Sequence, residues 1–184
     1  MRDSLESELK EIIRERDDII KDRFDTIIED SIVLDIDKAI SVEEFFKLVA
    51  EKMPDKLNVS SSVLLELLLD REKESSTVLT PSLAIPHIII DGEHNFDILL
   101  ARCKEGIIFS KSAPTVHTVF VLVGTRDERN FHLRALSAIA HIVQHPNFEK
   151  NWLRAKNKQA LRDIILLGER KRDQSELQAD NSRT

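Results

Sequence analysis

Val116-His117-Thr118-Val119-Phe120-Val121-Leu122-Val123 is apolar apart from His117 and Thr118, is rich in valine, and ends at Gly124-Thr125. A continuous apolar run of this length and composition predicts a strand covered on both faces, because a strand with one wet face would alternate. Such a strand belongs at the centre of a sheet with helices above and below it.

The neighbouring segments support that placement. Phe96-Asp97-Ile98-Leu99-Leu100-Ala101-Arg102-Cys103 reads as a second strand, with Gly106 as its breaker. Leu83-Ala84-Ile85 before Pro86, and Ile88-Ile89-Ile90 before the Asp91-Gly92 turn signal, are further β-branched apolar pieces. Ile32–Ile36 is another short apolar stretch.

Helical spacing surrounds these strands. Ser41-Val42-Glu43-Glu44 is a capping box that opens a helix carrying Phe45, Phe46, Val49 and Met53, which stops before Pro54. Ser60-Ser61-Ser62 starts a leucine-rich helix from Leu64 to about Asp70–Glu74. Phe131–Gln144 and Lys158–Leu167 close the pattern. The expectation is an α/β fold: a mixed central sheet of about four or five strands, flanked by helices.

Residues 3–29 predict a charged amphipathic helix, with Leu9, Ile12, Ile13, Ile20, Phe24 and Ile27 on one stripe. It could pack on the domain, on a second copy in a homo-oligomer, or on another domain. The expected organisation is therefore an N-terminal amphipathic helix over 1–29, one domain over 30–168, and a polar, mobile tail over 169–184.

Composition narrows the class. The chain has 184 residues, a single cysteine (Cys103) and a net charge of −6 with both signs interspersed. One cysteine excludes an internal disulfide and fits a reducing, cytoplasmic compartment. The charge argues against nucleic acid as a partner. No apolar run reaches the roughly 18 residues that cross a bilayer, and MRDSLESELKEII has no secretory h-region.

Chemistry near neutral pH falls to the six histidines. His141 and His145 are four apart but nothing completes a metal motif around them, so they read as an exposed helix end, and no metal or cofactor is expected. His94 lies in a polar turn. His87 differs: Pro86 fixes its own φ and holds Ile85 extended, so the imidazole stands at a stiff point between apolar segments. His117 lies inside the most apolar strand, where a polar ring needs a partner. A core histidine satisfied by the backbone explains either one alone, whereas a shared polar site explains both.

The ordered set Leu68-Leu69-Asp70-Arg71-Glu72, Thr77, Leu83-Ala84-Ile85-Pro86-His87, Val116-His117-Thr118-Val119-Phe120-Val121-Leu122, Asp127-Glu128 and Phe131-His132-Leu133 resembles the enzyme IIA domain of the bacterial phosphoenolpyruvate:sugar phosphotransferase system, of the fructose–mannitol and nitrogen-regulatory type. The resemblance covers about residues 30–168, and the part from His117 to Leu167 also looks like versions attached to cation/proton antiporters. It implies that His87 accepts a phosphoryl group from an HPr-like donor, with Arg71 as a charge-assisted donor to that group. On the same ground His117 is taken as the second histidine, Thr77 as a weaker binding residue, and His132 as structural. The phosphoryl group would pass to a sugar-permease component or serve as a signal. The alternative is a weakly phosphorylated or non-catalytic regulatory domain of a membrane transporter. Two departures from the family pattern stand beside the expected docking surface: Val78-Leu79-Thr80-Pro81-Ser82 lacks glycine, and Ile88-Ile89-Ile90 follows where a small or basic residue is usual.

Overall fold

The computed structural model describes residues 6–8, 10 and 21–171, of which Ile27–Lys171 forms one compact unit. Of the helix expected over 3–29, Arg23–Glu29 (α1) is described; most of the rest, and the tail from residue 172 on, lie outside the described residues.

The strands are β1 (Val33–Ile36), β2 (Ile40–Ser41), β3 (Val78–Thr80), β4 (Leu83–Ala84), β5 (His87–Ile90), β6 (Phe96–Ile108) and β7 (Val116–Thr125). They form one mixed sheet in the order β1-β6-β7-β4-β3. β2 follows β1 along β6, and β5 follows β4 along β7, so the sheet is five positions wide with β7 in the middle. β6 with β7 and β3 with β4 are antiparallel, whereas β1 and β2 run parallel to β6, and β4 and β5 run parallel to β7.

β7 is apolar because both of its faces are covered. Val119, Val121 and Val123 pack with Leu99, Ala101 and Cys103 of β6 under α2 (Val42–Lys52) and α4 (Ser61–Glu74). Between those two helices lies the short α3 (Pro54–Leu57), whose Leu57 joins the same cluster. By the period of two, Phe120 and Leu122 point the other way. There the Phe120 ring meets Phe148 and Trp152 of α6 (Phe148–Arg154), flanked by α5 (Arg129–Val143) and α7 (Lys158–Leu166). Phe45, Phe46, Phe120 and Trp152 are fully buried, and each contributes about 1.5–3 kcal/mol or more through burial.

The caps form where the sequence places them. Ser41 Oγ accepts from Glu44 N at 3.1 Å, and Ser60 Oγ accepts from Val63 N at 3.3 Å. Gly106, expected to end its strand, sits inside β6 instead. The register moves from Arg102↔Thr118 to Ile107↔Val116, so β6 carries extra residues there as a bulge. Gly106 has φ +100°, and a Cβ on it would come 2.8 Å from the Thr115 Cα, so glycine permits the bulge and the strand continues beyond it.

One buried charge locks the second layer to the sheet. Arg102, 1% exposed, donates to both carboxylate oxygens of Asp35 (2.9 and 2.7 Å) and to the carbonyls of Trp152 and Ala155 (3.0 and 2.5 Å). Its hydrogen bond and charge hold the Asp35 carboxyl below the usual carboxylate range.

Candidate functional site at His87

β4 and β5 are one line of chain interrupted at Pro86. The proline has no N–H to give, but its carbonyl accepts from Leu122 N at 2.9 Å, so contact with β7 resumes at once. His87 then stands in register with Leu122, on the α5 side of the sheet. Ile88 and Ile90 turn into the opposite core, 6% and 2% exposed, and only Ile89 reaches the surface at 50%. Two of the three isoleucines after the histidine are therefore core residues.

The His87 ring is oriented by its own strand. His87 Nδ1 lies 2.9 Å from the Ile85 carbonyl oxygen. A carbonyl only accepts, so Nδ1 carries the hydrogen, and in the neutral ring Nε2 is left with the lone pair.

The outer edge of β5 has no strand partner among the described residues, and there the two helical layers meet. A cavity of about 510 Å³ lies over this edge. From α4 it is lined by Asp70, Arg71 and Glu74; from α5, by Arg129 and His132; from β5, by His87. Arg71 is half-buried, and one of its terminal nitrogens donates to the carbonyl and hydroxyl of Ser75 at 3.1 and 3.0 Å.

The second histidine of this cavity is His132. Its ring meets that of His87 edge to face, and Phe96 packs on it as well, with centroids 5.4 Å apart. Phe96 can lie there because its register partner is Gly124, where a Cβ would come 2.6 Å from the Phe96 ring. His132 is 8% exposed, and its Nε2 has no hydrogen-bond partner. Burial, and secondarily the neighbouring His87, push the His132 pKa below the ordinary histidine value.

Arg71 and His87 thus come together as expected, and His117 does not join them. His117 is five residues from Leu122 along β7, roughly 17 Å, and shares the face of Val119, Val121 and Val123. Its Nδ1 donates to the Cys103 carbonyl at 2.9 Å, so the ring is satisfied by the backbone. Thr77 is also away from the cavity. It is buried, and its hydroxyl donates to Glu72 at 2.6 Å, which ties the end of α4 to the approach to β4. His132, expected to be structural, occupies the place foreseen for His117. Nothing local in the sequence separates the two histidines, because the choice is made by the register of β5 on β7 and by the face α5 covers. His141 and His145 lie exposed at the end of α5.

With fold and cavity defined, the chain can be classed. It belongs to the family of the phosphoenolpyruvate-dependent sugar phosphotransferase system, EIIA 2, whose model matches residues 26–167. It is 34% identical over 101 residues to the fructose-specific EIIABC component of Bacillus subtilis, covering 54% of this chain and 16% of that protein. It is 30% identical over 105 residues to the fructose-specific EIIA component of Haloferax volcanii, covering 55% of this chain and 66% of that protein. The crystal structure of the nitrogen regulatory protein IIA-Ntr from Neisseria meningitidis superposes with a TM-score of 0.69 at 23% identity, over 78% of this chain and 99% of that one, and shows the same fold. Among the described residues no helix is long and apolar enough to cross a membrane.

Proposed function

We propose that the chain is a phosphoryl carrier in which His87 Nε2 is the acceptor, Arg71 binds the phosphoryl oxygens and His132 donates a hydrogen bond to them. The observation that carries this is the Nδ1–Ile85 hydrogen bond, which leaves Nε2 as the nucleophilic atom of a ring lining the cavity of Arg71 and His132. A phosphoryl oxygen would give the buried, unpartnered Nε2 of His132 the hydrogen bond it lacks.

The donor is a phosphohistidine on an HPr-like protein, and the acceptor is a sugar-permease component or a transporter regulated by this domain. As Nε2–P forms, the donor's N–P bond breaks and its ring nitrogen leaves with the electron pair. A donor ring protonated at its other nitrogen departs as neutral imidazole, while His87 keeps Nδ1–H on the Ile85 carbonyl and becomes a phosphoimidazolium. No proton has to enter or leave the site. Transfer of this kind needs positioning and donors for three oxygens, with little further chemistry.

The test is incubation with phosphoenolpyruvate, enzyme I and HPr, followed by intact-mass measurement of wild type and His87→Ala. A gain of one phosphoryl group by wild type alone supports the reading. An equal gain by the variant places the acceptor elsewhere. Absence of any gain in both, with the proteins folded, favours a binding module that regulates a transporter without phosphorylation.

A further inference from the structure

The phosphoryl cavity holds more charge than the reaction above uses. Arg71 enters it from α4 together with two carboxylates, Asp70 and Glu74. Taken with Arg71 alone, that wall is net negative, by one positive against two negative groups, which would repel a phosphoryl dianion. Arg129 enters from the opposite wall and restores the balance to two against two.

Arg129 has the features of an anion-binding side chain held in reserve. It is exposed, it lines the cavity, and its side chain makes no hydrogen bond or ion pair among the described residues. Arg71, by contrast, already spends one terminal nitrogen on Ser75. Arg129 is the first residue of α5, where the helix dipole disfavours a cation, so local helix stability does not explain its charge. It precedes His132 by three residues, so both side chains project from one face of the helix.

We propose that Arg129 is a second phosphoryl-positioning cation, closing from the α5 side on the group that Arg71 holds from the α4 side. This rests on His87 being the acceptor. Each guanidinium offers a planar fork to the phosphoryl oxygens, and two forks on opposite walls fix the group's orientation as one cannot.

The test uses the full chain and two phosphoryl donors: phospho-HPr, and phosphoramidate in its N-protonated form, from which ammonia leaves with the electron pair of the N–P bond as Nε2–P forms. The small donor has no docking surface, so it separates positioning of phosphate from recognition of a protein. Arg129→Ala is expected to slow incorporation from both donors roughly ten- to hundredfold, the range for loss of one charge-assisted hydrogen bond. Arg129→Lys should recover part of it. Slowing with phospho-HPr alone overturns the proposal and makes Arg129 a docking residue; unchanged rates with both donors overturn it as well. Should wild type take no label, the acceptor reading fails by itself. Titration with inorganic phosphate, followed by the ring signals of His87 and His132, then decides Arg129: weaker phosphate binding in Arg129→Ala supports the cation site, and equal binding overturns it.

Discussion

The imidazole rings of His87 and His132 meet edge to face, with 5.7 Å between centroids and 76° between planes. They come from a sheet edge and from a helix 45 residues later in the chain, by subtraction of their numbers. One ring has its Nδ1 satisfied by backbone and the other has its Nε2 unsatisfied, and the different roles proposed for the two rest on that asymmetry.

Removing each ring should therefore give a different phenotype. His87→Ala is expected to abolish incorporation, since the attacking atom is gone. His132→Ala should leave slow incorporation and a shorter-lived phosphorylated form, with a loss of about 1.5–3 kcal/mol for one hydrogen bond to a charged group. His132→Gln should be milder because the amide keeps a donor. His117→Ala should leave both rate and lifetime near wild type, as its ring bonds the Cys103 carbonyl on the other face. Label incorporation and decay of the phosphorylated protein measure all four; a severe defect in His117→Ala would reinstate the role first expected of it.

Acid should destabilise the fold partly through His132. Its pKa is lowered in the folded protein by burial and by His87, so the unfolded chain, near the ordinary value of about 6.5, takes up the proton first. Between the lowered folded value and about 6.5, stability rises with pH; it is complete above that window and is lost as pH falls through it. His132→Gln should lose less stability than wild type when chemical denaturation is compared just above and well below about pH 6.5. Parallel curves for the two proteins would contradict this.

Breaking the Arg102–Asp35 pair should be costly without touching the chemistry directly. Arg102→Leu leaves the Asp35 carboxylate and the Ala155 carbonyl without the guanidinium that donates to them, an expected loss of about 3–5 kcal/mol. Adding Asp35→Ala should recover part of it, because the stranded charge is removed; a denaturation double-mutant cycle reads the coupling.

Gly106→Ala should also be destabilising, by about 1–3 kcal/mol, because a side chain there combines strained φ with a clash. The Cβ would meet the backbone of Thr115, which has little room to yield. Thermal unfolding should show the loss while phosphoryl incorporation at permissive temperature stays near wild type.

The central strand, the capped helices and the stiff histidine after Pro86 were legible in the sequence because each depends on neighbours in the chain. Valine density marks β7, serine oxygens mark two helix starts, and proline marks the break before His87. The partner of His87 was not legible in that way. Whether His117 or His132 reaches it depends on the parallel register His87↔Leu122, and on α5 crossing the same face, neither of which leaves a local signature. Likewise Gly106 gives the same signal as a strand end or as a bulge, and only the pairing with β7 separates the two.

Because the cavity lies where two layers meet at one sheet edge, its shape is answerable to two cores on opposite faces of the sheet. Leu64 and Leu68 seat α4 on one side, and Ala135, Ile139 and Ile142 seat α5 on the other. A slip of either helix moves one arm of the vice and leaves its opposite jaw in place. Interior substitutions far from His87, on either layer, would therefore be felt as a change in the gap between Arg71 and His132 before they were felt as loss of the fold.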